Sequence, residues 1–256
     1  MTRWIRFEHE GRAQFGALEG DTIRVHEGDL FASPRATGAA VALAAVKLLT
    51  PCVPGKMVAL WNNYRALAAK LGQAEPPEPL WFLKANNSFH PGGEPIRVPP
   101  GYEGKVIYEG ELGIVIGRRA ARVSEADAPA HIFGYTCIND VTAVDILKKD
   151  PTFDQWTRAK SFDTFGVFGP VIATGLDPAK LVIRTVLNDQ ERQNYPASDM
   201  FFPPAKVVSR LSHDITLEPG DVICCGTSVG VGSMKPGSRV TVSIEGIGEL
   251  ANDFLQ

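Results

Sequence analysis

Short apolar runs separated by glycine and proline turns constrain this chain more than any other feature of its sequence. Val240, Val242 and Ile244 alternate with polar residues and end at Gly246, which is the pattern of a half-buried β-strand. Three further apolar runs are typical of buried strands: residues 57–60, 114–116 and 171–173. Helical patterns occur in isolation, over residues 64–71, 124–131 and 206–211. Because they do not alternate with the strands, the sequence disfavours a βαβ repeat and predicts a strand-rich α+β fold.

The first fifty residues have a pattern of their own. Short strand-like runs near residues 4–8, 15–18 and 23–25 end at glycine-containing turns. Residues 39–49 are rich in alanine and leucine and predict a helix. Pro51, Pro54 and Gly55 then mark a boundary. We therefore predict a small N-terminal domain over residues 1–53 and a larger domain over residues 54–256.

Composition excludes several classes of protein. Hydrophobic residues make up 44% of the chain and charged residues 21%, which is ordinary for a globular protein and not for a disordered one. Lys and Arg total 26 against 29 acidic residues, without a basic block, which argues against a nucleic-acid-binding protein. The first residues lack a signal-peptide pattern, and no apolar stretch is long enough for a membrane span. We expect a cytoplasmic protein that binds neither nucleic acid nor membrane.

Two acids, Glu109 and Glu111, are the sharpest chemical feature of the sequence. Residues two apart in a strand point to the same face, and paired carboxylates beside an apolar run are costly without a cation between them. On spacing alone, a solvated edge strand with two surface acids is the simpler explanation. Asp140 ends another apolar run, where it supplies a third oxygen ligand or caps a following helix. Three such oxygens would suit Mg²⁺, Mn²⁺ or Ca²⁺.

Two more segments carry chemistry. Residues 155–166 alternate polar and charged groups with aromatic ones. Lys160 in this segment would hold an anionic substrate or stabilise negative charge developing on an oxygen, and the alternative is a surface ion pair with Asp163. The glycine-rich loop over residues 226–232 offers backbone N–H groups to an anion. It lacks the Gly-Lys-Ser/Thr ending of a phosphate loop, so a nucleotide site is the weaker interpretation.

In combination, these segments resemble the fumarylacetoacetate hydrolase family. The matching motifs occur in the family's order and are Tyr108-Glu109-x-Glu111-Leu112, Asn139-Asp140-Val141, Gln155-Trp156-x-x-x-Lys160-Ser161-Phe162-Asp163 and Gly226-Thr227. With the segments between them, they cover most of the chain from about Lys56 to Leu250. The resemblance implies a catalytic domain of mixed β-roll or β-sandwich type, and residues 1–53 resemble the small leading domain of some members.

The resemblance also implies roles for individual residues. Glu109, Glu111 and Asp140 would hold Mg²⁺, with Mn²⁺ or Ca²⁺ as alternatives. Lys160 and Gln155 would be catalytic. Five residues would bind substrate: Thr227, Asp163, Asn63, Tyr64 and Arg65. Family members act on 2-oxo or 2,4-dioxo acids and are usually dimeric, so we expect a small oxo acid as substrate, a role in aromatic catabolism and a homodimer.

The sequence departs from the family pattern at two places, one of which is Val144, where the family has an Arg after Asn-Asp-Val. Many hydrolytic members carry a His and a Glu shortly after an Asn-Tyr pair, whereas this chain has Leu67 and Lys70 at those positions. The usual water-activating pair is therefore missing, and His90 is the alternative base. Arg65 and Lys70 would bind a second substrate carboxylate, or they form a solvated helix face.

These observations together predict a divalent-metal-dependent enzyme that acts on a 2-oxo or 2,4-dioxo acid through a metal-stabilised enolate. On family habit alone, the first expectation is C–C bond hydrolysis of an acylpyruvate or fumarylpyruvate. Decarboxylation of a 2-oxo dicarboxylate and isomerisation of a 2-hydroxy-dienoate stay open, because neither needs an activated water. A non-catalytic binding relative is the further alternative.

Overall fold

The computed structural model describes residues 1–256, and β-strands dominate it. In chain order the strands are β1 Arg3–His9, β2 Arg12–Glu19, β3 Thr22–Glu27, β4 Arg35–Ala42, β5 Lys47–Leu48, β6 Met57–Trp61, β7 Leu80–Lys84, β8 Phe89–His90, β9 Ile96–Arg97, β10 Val106–Tyr108, β11 Gly110–Ile116, β12 Ile132–Asp140, β13 Thr142–Ala143, β14 Gly166–Ala173, β15 Val182–Leu187, β16 Gln190–Pro196, β17 Val222–Cys224, β18 Gly232–Met234, β19 Ser238–Ile244 and β20 Gly248–Leu255. The helices are α1 Arg65–Leu71, α2 Val144–Leu147, α3 Trp156–Lys160 and α4 Pro204–Asp214. Short 3₁₀ turns cover Leu43–Ala45, Asn86–Ser88, Ala128–His131, Pro178–Lys180 and Ala197–Asp199. The strand-rich α+β fold expected from the sequence is confirmed.

The strands form sheets of twelve, five and three members. The large sheet has the order β4-β3-β2-β1-β14-β12-β11-β17-β6-β7, with β5 added to β1 and β8 added to β14. The five-stranded sheet has the order β16-β15-β19-β20-β9, and its β15 and β19 contact β11 and β12 of the large sheet. The core therefore lies between these two layers, as in a mixed β-sandwich.

Strand β11 is the centre of this arrangement. All seven of its residues are buried, and it pairs with β12 on one side and β17 on the other. A strand buried on both faces carries a continuous apolar run instead of an alternation, which is why residues 114–116 are all aliphatic. A polar side chain at the start of β11 therefore lies inside the protein.

The N-terminal strands extend the large sheet. Trp4 on β1 pairs with Ile172 on β14, and β2, β3 and β4 follow outward from β1. The division at residues 53 and 54 stays a prediction, since one sheet runs across both parts of the chain.

The helix predicted over residues 39–49 is wrong. Most of the segment belongs to the exposed edge strand β4, a 3₁₀ turn and β5. Alanine favours a helix locally, but the backbone of residues 40–42 pairs with β3. The helix predicted over 124–131 is reduced to the 3₁₀ turn Ala128–His131, whereas α1 and α4 match the other two predictions.

The hairpin of β15 and β16 turns in a two-residue loop between Leu187 and Gln190. Asn188 and Asp189 both have positive φ, 48° and 63°, which is the conformation of a tight two-residue hairpin turn. No helix of the structure combines the length and the apolar character that a membrane crossing requires.

Candidate metal centre

Three acids converge at adjoining strand ends. Glu109 lies between β10 and β11, Glu111 is the second residue of β11, and Asp140 is the last residue of β12. One oxygen of each carboxylate lies within 4.8 Å of the other two. The β11–β12 register, which sets Gly110 opposite Asn139, brings them together. We call Glu109, Glu111 and Asp140 the carboxylate triad; the sequence predicts all three members.

Two lysines enter the carboxylate triad. Lys160, the last residue of α3, places its Nζ 2.6 Å from Asp140 Oδ2 and 3.0 Å from Glu109 Oε2. Lys84, the last residue of β7, donates to Asp140 Oδ1 and is fully buried. The surface pair between Lys160 and Asp163 is therefore wrong, because Lys160 points inward to the acids.

Sequence reasoning missed Lys84. The available signal was the position of Lys84 directly after the apolar run Leu80-Trp81-Phe82-Leu83. A lysine that continues such a strand lies inside the protein. A fully buried lysine is rare unless an acid pairs with it, and here Asp140 fills that role.

Burial and charge act differently on the three acids. Burial raises the pKa of Glu111 well above its ordinary value, and the neighbouring carboxylates of Asp140 and Glu109 raise it further. Burial likewise raises the pKa of Glu109, although Lys160 opposes the shift. For Asp140, burial alone would raise the pKa, but the ammonium groups of Lys160 and Lys84 outweigh burial and lower it.

The carboxylate triad fits a divalent cation. Three carboxylates face only two ammonium groups, and Glu111, 1% exposed, has no ammonium partner and accepts one hydrogen bond, from the Gly226 N–H at 2.9 Å. Asn139 Nδ2, also buried beside the triad, has no acceptor within the protein, and as a donor it suits an oxygen of a bound molecule and not the cation itself. An oxygen-only donor set suits a hard ion such as Mg²⁺ or Mn²⁺, and such an ion would balance the charge that Glu111 adds. Binding of the ion by these three residues stays a prediction.

The residues predicted to bind substrate or to be catalytic lie at different distances from the carboxylate triad. The Thr227 hydroxyl donates to the Gly110 carbonyl at 3.0 Å, so it adjoins the carboxylate triad. The Gln155 amide contacts the Phe153 carbonyl at 3.4 Å, and no hydrogen bond joins it to the carboxylate triad. Asp163 accepts from Asn87 Nδ2 at 2.7 Å and faces another cleft.

Gln155 lines a cleft that borders the centre. The cleft has a volume of about 710 Å³, and Trp81, Phe82 and Trp156 form part of its wall. The Phe82 ring also lies beneath the ammonium of Lys160, 5.5 Å from its centroid. Phe82 therefore separates the aromatic cleft from the charged cluster and contributes to both.

Asn63, Tyr64 and Arg65 anchor the start of α1. The Asn63 amide donates to the Cys225 carbonyl at 2.8 Å and accepts from the Phe202 N–H at 2.9 Å. The Arg65 guanidinium donates to the Met200 carbonyl and lies over a nearby aromatic ring. Tyr64 is fully buried. These contacts occupy Asn63 and Arg65 within the protein, and substrate binding by the three residues stays a prediction.

The helix that follows carries no acid–base pair. On α1, Leu67 packs into the core at 9% exposure and Lys70 points to solvent. His90, the alternative base, contacts the Glu94 carbonyl at 3.3 Å, and burial lowers its pKa. No contact in the structure joins His90 to the carboxylate triad.

Two family models match the chain. The model described as fumarylacetoacetate (FAA) hydrolase C-terminal matches residues 56–255, and the model described as Rv2993c-like, N-terminal matches residues 2–51. Among curated proteins, an oxaloacetate tautomerase of Bacillus subtilis is 36% identical over 226 residues, which is 83% of this chain and 74% of the relative.

Solved structures resemble the whole chain. A 2-hydroxyhepta-2,4-diene-1,7-dioate isomerase from Mycobacterium marinum matches with a TM-score of 0.91 and 38% identity, covering 100% of this chain and 98% of the other. A maleylpyruvate hydrolase from Sphingobium, in complex with manganese(II) and pyruvate, matches with a TM-score of 0.80 and 28% identity over 99% of each chain. The three relatives are named as a tautomerase, an isomerase and a hydrolase.

Proposed function

The chain belongs to the fumarylacetoacetate hydrolase family, and we propose that it is a divalent-metal-dependent enzyme that interconverts the keto and enol forms of a 2-oxo dicarboxylic acid. Relatives in this family include tautomerases, isomerases, decarboxylases and hydrolases. The observation that carries the choice is a largely buried carboxylate triad with Lys160, in a chain whose α1 presents Leu67 and Lys70.

Lys160 supplies a fixed positive charge. Burial opposes that charge, but Asp140 and Glu109 outweigh burial and raise the pKa of Lys160, so its ammonium stays protonated at neutral pH. Two of its three N–H groups point to these acids, and the third is left for an oxygen of the substrate. Lys160 therefore stabilises negative charge on that oxygen and does not remove a proton.

A divalent cation held by the carboxylate triad would add positive charge at the 2-oxo acid and so favour loss of the neighbouring C–H proton. The net reaction moves one proton from carbon 3 of the substrate to its keto oxygen, with solvent water taking up the proton from carbon 3 and returning one to the oxygen. It breaks no carbon–carbon bond and consumes no water.

The structure of α1 favours this proton shift over hydrolysis. Hydrolysis requires a base that activates water, and the two α1 positions that carry it in many hydrolytic relatives hold a buried leucine and an exposed lysine. C–C bond hydrolysis is the second candidate, favoured by the likeness to a maleylpyruvate hydrolase. The homodimer and the cytoplasmic location stay predictions.

One assay separates these reactions. We expect the protein with Mg²⁺ or Mn²⁺ to accelerate keto–enol interconversion of oxaloacetate, followed by the ultraviolet absorbance of the enol, and to lose this activity in EDTA. The same samples are analysed for CO₂, and a parallel set with an acylpyruvate is analysed for pyruvate. Faster CO₂ release from oxaloacetate would show that the reaction is decarboxylation. Pyruvate release from the acylpyruvate would show that it is hydrolysis, and either result would overturn the proposal.

Metal affinity should depend on pH in a characteristic way. Because burial and two neighbouring carboxylates raise the pKa of Glu111, this carboxyl keeps its proton to a higher pH than an exposed glutamate. A cation must displace that proton, so we expect Mn²⁺ affinity to weaken as pH falls, beginning above the usual carboxyl range. Calorimetry in two buffers of different ionisation enthalpy counts the protons released.

The metal-free protein supplies the control for this experiment. A carboxyl whose pKa is raised by folding binds its proton more tightly in the native state, so stability decreases as pH rises from the unfolded value through the raised one. Added Mn²⁺ should restore that stability most at high pH. Binding without proton release at every pH would contradict the assignment of Glu111 as a ligand.

A further inference from the structure

The peptide of Gly110, between the two glutamates of the carboxylate triad, is held by side chains from outside the large sheet. Its N–H donates to Gln193 Oε1 at 3.0 Å. Its carbonyl accepts from the Thr227 hydroxyl at 3.0 Å and also from the Tyr195 hydroxyl. Both backbone polar groups at this point are therefore fixed by residues more than 80 positions away in the sequence.

Gln193 is the junction of this network. While its Oε1 accepts from Gly110, its Nε2 donates to the Thr227 hydroxyl at 2.9 Å and to the Ser228 carbonyl at 3.1 Å. The side chain is 1% exposed, and both amide donors are used, so the amide has one orientation that satisfies all its partners. The network also commits the Thr227 hydroxyl proton to Gly110, so that hydroxyl has no proton to donate to a substrate.

Gly110 has no room for a side chain on the face that points to the β15–β16 hairpin. A Cβ at this position would lie 2.0 Å from Thr185 Oγ1 and 3.2 Å from Gln193 Oε1. Thr185 and Gln193 are partners across the β15–β16 hairpin, so one pair of residues both blocks the space and makes the hydrogen bond. The backbone that joins the two glutamates cannot shift toward the hairpin.

We propose that Gln193 is a positioning residue for the metal centre: it fixes the Gly110 peptide, and thereby the direction of the carboxylates on either side of it. The inference rests on the proposed function, because it assumes that the carboxylate triad holds a cation. The inference gives the five-stranded sheet, which carries Gln193, a role in metal affinity. The sequence does not reveal this role, because Gln193 lies 83 residues from Gly110. Groups that orient metal ligands through hydrogen bonds typically change metal affinity by about 10-fold to 100-fold when removed.

Substitution of Gln193→Met tests this proposal, since methionine keeps the length and removes every hydrogen bond. We expect Mn²⁺ to bind about 10-fold to 100-fold more weakly, with a changed Mn²⁺ electron paramagnetic resonance line shape. Tyr195→Phe removes one hydroxyl from the same network and should weaken binding in the same direction. The matched control is Asn194→Ala, since Asn194 is exposed on the same strand and the only hydrogen bond of its side chain is to Glu191.

The outcomes are distinct. A merely structural role would lower the melting temperature of Gln193→Met and leave its Mn²⁺ dissociation constant and line shape as in the natural protein, which would overturn the inference. If Gln193→Met does not fold, Tyr195→Phe decides by the same two measurements. Failure of the natural protein to bind Mn²⁺ would instead overturn the proposed function, and the positioning role with it.

Discussion

Replacing Glu111 by glutamine will abolish the metal-dependent reaction and stabilise the metal-free protein. Glu111 is buried, has no ammonium partner and has a pKa raised well above normal by burial and by neighbouring acids. Glutamine keeps an oxygen for the Gly226 N–H and removes the charge. We expect turnover to fall at least about 1,000-fold, which corresponds to the several kcal/mol of charge stabilisation that a catalytic cation supplies. The free energy of unfolding without metal should rise by about 1 kcal/mol at neutral pH.

Thermal unfolding in EDTA and steady-state kinetics with Mn²⁺ measure the two effects on one preparation. Glu125→Gln is the matched control, since Glu125 is exposed and makes no ion pair. We expect turnover to fall and the free energy of unfolding to rise, because a functional acid in an unfavourable environment lowers stability while it serves activity. If Glu111→Gln kept metal-dependent turnover, the carboxylate triad would not be the reactive centre.

Replacing Lys160 by methionine should damage both stability and turnover. The substitution leaves Asp140 and Glu109 without the ammonium that lies 2.6 Å and 3.0 Å from them. Removal of one partner from a buried ion pair costs about 3–5 kcal/mol in the free energy of unfolding. Turnover should also fall about 100-fold to 1,000-fold, since the substrate oxygen loses one preorganised donor.

A second lysine separates these two effects. Lys56 pairs with the fully buried Asp221 at the start of β6, and that pair makes no contact with the carboxylate triad. We expect Lys56→Met to be destabilised but to keep the kcat and the Mn²⁺ affinity of the natural protein. Measurement of kcat at a temperature where both variants are folded makes the comparison. Equal turnover in the Lys160 and Lys56 variants would assign Lys160 a structural role only.

The carboxylate triad was predicted only in part from the residues themselves, because spacing alone favoured two surface acids and the family resemblance supplied the choice of a metal site. Two acids two residues apart share a face in any extended segment, and Asp140 follows a strand that register brings alongside. Lys160 was also predicted near the site, although the residues alone left a surface pair with Asp163 open. Only tertiary pairing decides that alternative, because both arrangements satisfy the local sequence.

The partners of Lys84 and Gln193 lie beyond the reach of local reasoning for a common reason. Lys84 meets an acid 56 residues away, and Gln193 meets a backbone group 83 residues away. Neither contact follows from spacing or periodicity, since each depends on how separate sheets and strands meet. The failed helix over residues 39–49 has the same origin, because pairing with β3 outweighs the helix preference of alanine.

The pairing of β1 with β14 covers what would otherwise be an edge of the large sheet. Without the leading strands, the end of β14 at Ile172 and Ala173 would present free N–H and carbonyl groups on the flank of a long apolar sheet. Such a flank is a template for adding strands from other molecules. The leading segment moves this exposed border outward to β4, which is rich in small residues and begins with Arg35. The exposed edge of the sheet is therefore β4 and not β14, and β4 offers little side-chain surface to a strand of another molecule.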